Sequence, residues 1–192
     1  TETTALDWMA ADLVGLALAV SAHESFYVPL RHPADGNPQL SSDDVLAAVG
    51  PVLADPKTRL VAHHYKYDLA VLERSGYRPT ALWFETMLAA YLLGERKVGL
   101  KDLAWQKLGI EMTGITALIG TGKNQLSMDM VDSRLAGDYA CGDVEATFAL
   151  MELFRPQLEE RGLLPLLYDV EQPLGPVLVR MEGAGIAIDV PY

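Results

Sequence analysis

Apolar positions along the chain fall in short blocks divided by polar punctuation, and the period of each block predicts an element. Leu13 to Val20 reads LVGLALAV, an unbroken apolar run of strand length. Ser25 to Leu30, SFYVPL, is aromatic and β-branched and predicts a second strand. The polar link His23-Glu24 between them predicts a hairpin. Arg31 to Gln39 carries two Pro, a Gly and an Asn, the composition of a loop. Ser41 or Ser42 caps a helix that runs to Ala54, with Asp43 and Asp44 in the first turn, where the helix dipole favours acids. Pro56 stops it. Leu60 to His63 predicts a short buried strand. Lys66 to Arg74 places Leu69, Val71 and Leu72 at helical spacing and ends at Gly76.

The rest of the pattern is mostly helical. Glu85 to Leu93 and Leu100 to Leu108 predict compact helices. Gly114 to Ser127, rich in Gly, Thr and Asn, predicts an irregular loop with marginal turns. Asp129 to Arg155 predicts a long helix with a break near Gly137. Leu163 to Glu182 predicts another, ended by Gly183-Ala-Gly185, and Ile186 to Val190 opens a further element. Strands first, then a strand-helix unit, then helices: this order predicts an α/β or α+β domain with one mixed sheet covered by helices.

Composition narrows the picture. A chain of 192 residues is one domain, with room for a fragment of another. Half of its residues are hydrophobic, which excludes a wholly disordered chain. Fifteen Lys and Arg against 26 Asp and Glu leave a net charge of −11, which argues against a broad basic face gripping duplex nucleic acid. A small carboxylate site that meets phosphate through bound cations is compatible with that charge. The lone Cys141 has no internal disulfide partner. The apolar stretch Leu13 to Ala22 is far shorter than the roughly 20 residues of a membrane span, so no membrane partner is expected. The opening Thr-Glu-Thr-Thr has no basic n-region and no initiator Met; the expectation is a chain that starts inside a longer parent.

Several familiar sites are absent from the sequence. Gly122-Lys123 lacks the preceding Gly and following Ser or Thr of a phosphate loop. No Cys pair or His-x-x-x-His is present to build a structural zinc site. His23 and His32 read as exposed loop residues. The carboxylates carry more. Glu2 precedes the first apolar β region, Asp68 follows the strand Leu60 to His63 in the string HHYKYD, and Asp143 stands four residues after Tyr139 in DYACGD. On a helix, that spacing puts the phenol and the carboxylate on one face. Three acids from distant segments, each beside an apolar element, can meet at one sheet edge and offer hard oxygen ligands to Mg²⁺. Taken singly, each acid reads equally as a helix cap or a surface residue.

The ordered set of motifs adds what spacing cannot. Thr1-Glu2-Thr3 followed by Leu6-Asp7 resembles the first exonuclease motif, D-x-E, of the bacterial DNA polymerase I family. His64-Tyr-Lys-Tyr-Asp68 resembles the second, usually N-x-x-x-D, and Tyr139-Ala-Cys-Gly-Asp143 the third, Y-x-x-x-D. Glu85-Thr-Met-Leu-Ala-Ala-Tyr-Leu-Leu and Gly122-Lys-Asn-Gln-Leu are similar to its linking segments. Glu171-Gln-Pro-Leu to Gly185-Ile-Ala-Ile-Asp189 resembles the entry into its polymerase region. The resemblance implies an α/β fold of the RNase H-like class, a mixed sheet flanked by helices, with residues 1–165 as the exonuclease domain and 166–192 as the start of the polymerase region. It implies a 3′–5′ proofreading exonuclease using two divalent ions, Mg²⁺ with Mn²⁺ or Zn²⁺ as substitutes. Glu2 and Asp143 would ligate the first ion, Asp68 would help hold the second, and Tyr139 would orient the attacking water. Thr3, Leu6, His64 and Tyr67 would meet the substrate, Leu6 as a wedge between terminal bases.

The partners so implied are a single-stranded DNA 3′ end and the polymerase domain of the same parent, in a cytoplasmic monomer. His64 stands where the family usually has Asn, and Ile115 where it tends to place an aromatic. The leading Asp of the first motif would fall immediately before Thr1, so the chain as given is expected to be inactive. Two other readings compete: a vestigial domain that only braces a polymerase, and a stand-alone RNA-trimming exonuclease with the same acids. The tail after Glu171 argues against the latter.

Overall fold

The apolar run near the start of the chain forms the middle strand of an antiparallel ladder. A short β1 (Glu2–Thr3) pairs with one edge of β2 (Leu13–Ser21), and β3 (Glu24–Pro29) pairs with the other as the predicted hairpin. The computed structural model describes residues 1–33, 37–80 and 82–188. The predicted loop 31–39 is therefore described only in part, and the element expected from Ile186 to Val190, with Asp189, lies partly outside the described residues.

Helix α1 (Ser42–Ala54) starts where its cap predicts: the Ser41 hydroxyl oxygen accepts from the Asp44 N–H at 3.1 Å. A β-α-β crossover follows, of β4 (Leu60–Ala62), α2 (Tyr65–Arg74) and β5 (Leu82–Glu85), with the two strands parallel. Then come α3 (Thr86–Leu92) and α4 (Leu100–Leu103), which continues as a π turn to Leu108. Helix α5 (Ile115–Ile119) and a 3₁₀ turn at Gly122–Asn124 are the marginal turns expected in that loop. Helix α6 (Ser133–Glu160), α7 (Leu164–Leu166), a π turn and α8 (Gln172–Ala184) are the last elements among the described residues, and Gly185, at a φ of 69°, ends α8.

The strands hydrogen-bond as two ladders, one antiparallel and one parallel, among the described residues. Helix α6 packs across β2, β3 and β4 and joins the two. Beneath it, Phe84, Leu103, Leu150, Phe154 and Leu158 form the main core, which also holds Leu167 from the π turn before α8. A second cluster of Leu16, Val45, Leu53, Leu72 and Tyr77 binds α1 and α2 to β2.

Four sequence expectations are corrected. Strand β5 was not expected, because Leu-Trp-Phe-Glu runs into α3 with no turn residue between; Glu85 ends the strand and caps α3 instead of opening the helix. Helix α6 begins at Ser133, where the Asp132 carboxylate caps it, and a 3₁₀ turn occupies Met128–Met130. It does not break at Gly137. Ala136, Gly137 and Ala140 are all buried, and a Cβ on Gly137 would lie 3.3 Å from the Tyr27 ring. Close approach to β3 there outweighs the ~1 kcal/mol that glycine costs a helix. His32 is buried rather than exposed. Its Nδ1 donates to the Val131 carbonyl at 2.9 Å and its Nε2 accepts from the Tyr27 hydroxyl at 2.6 Å.

That last contact leaves no room for a side chain at Gly15. A Cβ there would sit 2.1 Å from the Tyr27 hydroxyl, so the ring must move and the Tyr27–His32 bond must break. Gly15→Ala is expected to lose about 2–4 kcal/mol in urea unfolding. A loss under about 0.5 kcal/mol would show that the ring relocates freely.

Candidate active site

Three separate stretches of chain bring the predicted acids to one place. Glu2 lies on β1, paired with Gly15 of β2. Asp68 lies in the first turn of α2, straight after β4. Tyr139 and Asp143 lie one turn apart on α6. The Asp68 Oδ1 accepts from the Thr1 hydroxyl at 2.6 Å and stands 3.1 Å from the Thr1 nitrogen, which ties the segment carrying Glu2 to α2.

Glu2 feels the charges of the other two acids. The Glu2 carboxyl is pushed up to about 7, first by burial, then by Asp143 and Asp68, against the pull of the Thr1 ammonium and Lys101. Burial also raises Asp143, opposed by Lys101 and Tyr139. The Tyr139 phenol is raised by burial and then by Asp143 and Glu2, so it keeps its proton. A carboxyl raised in the folded chain favours folding below its ordinary value of 4.5 and loses that contribution as pH climbs to about 7. In EDTA, Glu2→Gln is therefore expected to melt increasingly above the parent as pH rises from about 5 to about 8. A melting difference that stays constant across that range would contradict the burial of the Glu2 carboxyl.

Lys101, from α4, is a member of the cluster that sequence reasoning missed. Its Nζ donates to the Tyr139 hydroxyl oxygen at 3.0 Å and to the Asp143 Oδ1 at 3.3 Å. No local signal reveals this, because the partners lie about forty positions away in sequence. A cavity of about 320 Å³ opens beside Tyr139 and Asp143, lined also by His23, Glu111, Asp138 and Glu145. Among the described residues, no three His, Cys, Asp or Glu side chains are spaced to hold one metal ion.

The expected substrate contacts form one rim. The Tyr67 hydroxyl donates to the Ala5 carbonyl at 2.5 Å and is 2.6 Å from the Thr3 hydroxyl, and His64 stacks on the Tyr67 ring with centroids 6.3 Å apart. Leu6 follows Ala5 and is 96 % exposed, an apolar side chain with no core to serve. His64 has a left-handed φ of 64°, a region several-fold enriched in Asn and His among residues with a side chain. That backbone accounts for a motif position usually filled by Asn being filled here by His.

The second residue missed from sequence is Glu85, 2 % exposed. Its Oε1 accepts from the His64 N–H at 2.5 Å and from the Tyr65 N–H, and its other oxygen accepts from the Leu88 N–H. One buried carboxylate thus holds the left-handed turn that launches α2 and Asp68. Glutamate is not a favoured cap, so the pattern gives no hint of it.

Fold and site together define a nuclease domain of the RNase H-like class. The sequence profile described as 3′-5′ exonuclease matches residues 1–159, and the chain belongs to that family as a 3′–5′ exonuclease domain of the DNA polymerase I type. It is 40% identical to the DNA polymerase I of Chloroflexus aurantiacus and 38% identical to that of Pseudomonas aeruginosa, over 100% and 98% of its own length. It spans only 20% and 21% of those relatives. Among solved structures it is similar to the POL domain of Pol1 from M. smegmatis in complex with DNA primer-template and dNTP, with a TM-score of 0.71 and 26% identity over 93% of this chain and 27% of that one. Brucella melitensis NrnC with bound Mg²⁺ shares the fold at a TM-score of 0.64, with 18% identity over 100% of this chain and 88% of that one. No helix among the described residues is long and apolar enough to cross a membrane.

Proposed function

We propose that the domain removes nucleotides from the 3′ end of single-stranded DNA by two-metal-ion hydrolysis, proofreading for a DNA-directed polymerase in the same parent chain. The observation that carries this reading is the convergence of Glu2, Asp68, Asp143 and Tyr139 from three stretches of a chain that belongs to the 3′-5′ exonuclease family. The donor set fits hard divalent cations: every candidate ligand is a carboxylate, and Glu2 is raised first by burial and then by Asp143 and Asp68, a charge that a cation would stabilise. Glu2 and Asp143 would hold one ion and Asp68 would help hold a second, so no single ion needs all three. When bound, such ions lower the pKa of a water and stabilise the attacking and leaving oxygens of an in-line displacement.

The chain's own residues do the rest. Tyr139, protonated, offers its hydroxyl to the attacking water at the scissile phosphate. Thr3, Tyr67 and His64 hold the terminal nucleotide, and Leu6 wedges against its base, a contact that tolerates any sequence. Residues 1–165 form the exonuclease domain, and 166–192 lead toward the polymerase region. The parent is a cytoplasmic monomer, using Mg²⁺ with Mn²⁺ or Zn²⁺ as substitutes.

The test assays single-stranded DNA with a labelled 5′ end and Mg²⁺ or Mn²⁺, using the chain as given and with an Asp placed before Thr1. Stepwise shortening by the extended chain, with far weaker cleavage by the chain as given, is expected. A folded extended chain that cleaves nothing would sink the reading. Tyr139→Phe is expected to slow the extended chain about 10–100-fold without abolishing cleavage, since positioning and charge remain. An unchanged rate would remove Tyr139 from the mechanism.

A further inference from the structure

We propose that Lys101 is a tethered cation of this site: it positions the Tyr139 hydroxyl and occupies the Asp143 oxygen that a divalent ion takes on binding. The inference rests on the exonuclease reading above and asks what an ammonium is doing among three carboxylates.

Lys101 could extend into solvent, yet its Nζ reaches from α4 across to α6. There it lies 3.0 Å from the Tyr139 hydroxyl, 3.3 Å from the Asp143 Oδ1 and 4.4 Å from the centre of the Tyr139 ring. Its neighbour Asp102 is engaged elsewhere, by Lys97 at 2.9 Å. The ammonium therefore pairs with the site rather than with its own helix. Donation from Nζ takes one lone pair of the phenol oxygen, so the Tyr139 proton must point away from Lys101. That leaves the proton to the Asp143 carboxylate, with which the phenol also hydrogen-bonds, and a divalent ion that took Asp143 would free the hydroxyl to donate to a water. The same Nζ claims the Asp143 oxygen, and Lys101 and the Thr1 ammonium are two positive charges against Glu2, Asp68 and Asp143, which leaves the site short of cation. A divalent ion at Asp143 must displace it. The Lys101 side chain is 34% exposed, and its flexible stem lets the ammonium swing outward while the ion is held.

The alternative is a plain ion pair bracing α4 against α6. Lys101→Met and Lys101→Gln in the chain with Asp before Thr1 separate the two. In calorimetric titration with Mn²⁺, both variants are expected to bind about three- to tenfold more tightly than the parent, because the competing cation is gone. Lys101→Met is expected to lose about tenfold in kcat with KM for DNA little changed, and Lys101→Gln, which can still donate to Tyr139, to recover most of it. In EDTA both melt below the parent, and saturating Mn²⁺ closes the gap. Unchanged or weaker Mn²⁺ affinity, or a melting gap that persists in Mn²⁺, would overturn the proposal and leave a structural ion pair. If Lys101→Met fails to fold, Lys101→Gln carries the same comparison. A parent that binds no Mn²⁺ and cleaves nothing removes the exonuclease reading, and this proposal with it. A parent that does both, matched by its variants, removes only the role of Lys101.

Discussion

Asp143→Ala is expected to lower 3′-end cleavage by on the order of 10³-fold or more while leaving the melting temperature in EDTA nearly unchanged or raised. Asp143 offers an oxygen toward the proposed first ion. Its loss also frees Lys101 from its partner. Stability is spared for the reason that makes the residue useful: burial disfavours its charge, and Glu2 is raised in part by it. Removing one of three crowded acids relieves repulsion. Steady-state kinetics beside thermal melting checks both halves. A fall of several degrees in melting temperature with the activity loss would assign Asp143 a structural role instead.

Glu85→Ala is expected to be the most destabilising single change near the site, at about 3–5 kcal/mol. The Ala leaves the partly buried N–H groups of His64 and Leu88 and the buried N–H of Tyr65 without their acceptor. For a domain of ordinary stability that is a large fraction of the total. Glu85→Gln keeps an acceptor oxygen for one side of the turn but sets its NH2 against the N–H on the other, and is expected to lose less than the Ala variant. Burial holds the Glu85 carboxyl above its ordinary range in spite of the N–H groups that favour its charge, so a neutral amide is tolerated. Urea unfolding of the two variants measures the difference. Equal losses for Ala and Gln would show that one acceptor oxygen alone does not hold the turn. Because the same turn sets the start of α2, Glu85→Ala is also expected to weaken whatever Asp68 binds.

The contrast between these two residues explains what the chain discloses before it folds. Asp143 is readable because its partner Tyr139 lies four positions away on the same helix, and helical geometry fixes their relation. The hairpin β2–β3 and the cap at Ser41 are equally local. Apart from Leu88, which Glu85 caps three positions on, Glu85 and Lys101 act through partners 20 to 42 positions away, and no local period encodes such a contact. His32 misled for a related reason: in a polar loop it reads as exposed, yet Tyr27 and Val131 bury it. Gly137 misled because propensity favours a break, whereas the cost of glycine is overridden by close packing on Tyr27. The trio of acids was visible only as an ordered series of motifs, since each acid alone also suits a helix cap or a wet surface.

The account stands on carboxylates from three segments acting together on divalent ions. Calorimetric titration of Mn²⁺ into the chain with Asp before Thr1, alongside Glu2→Gln and Asp143→Asn, tests that most directly. Binding by the parent, weakened at least tenfold in each variant, is the predicted result. Variants that titrate like the parent would contradict it.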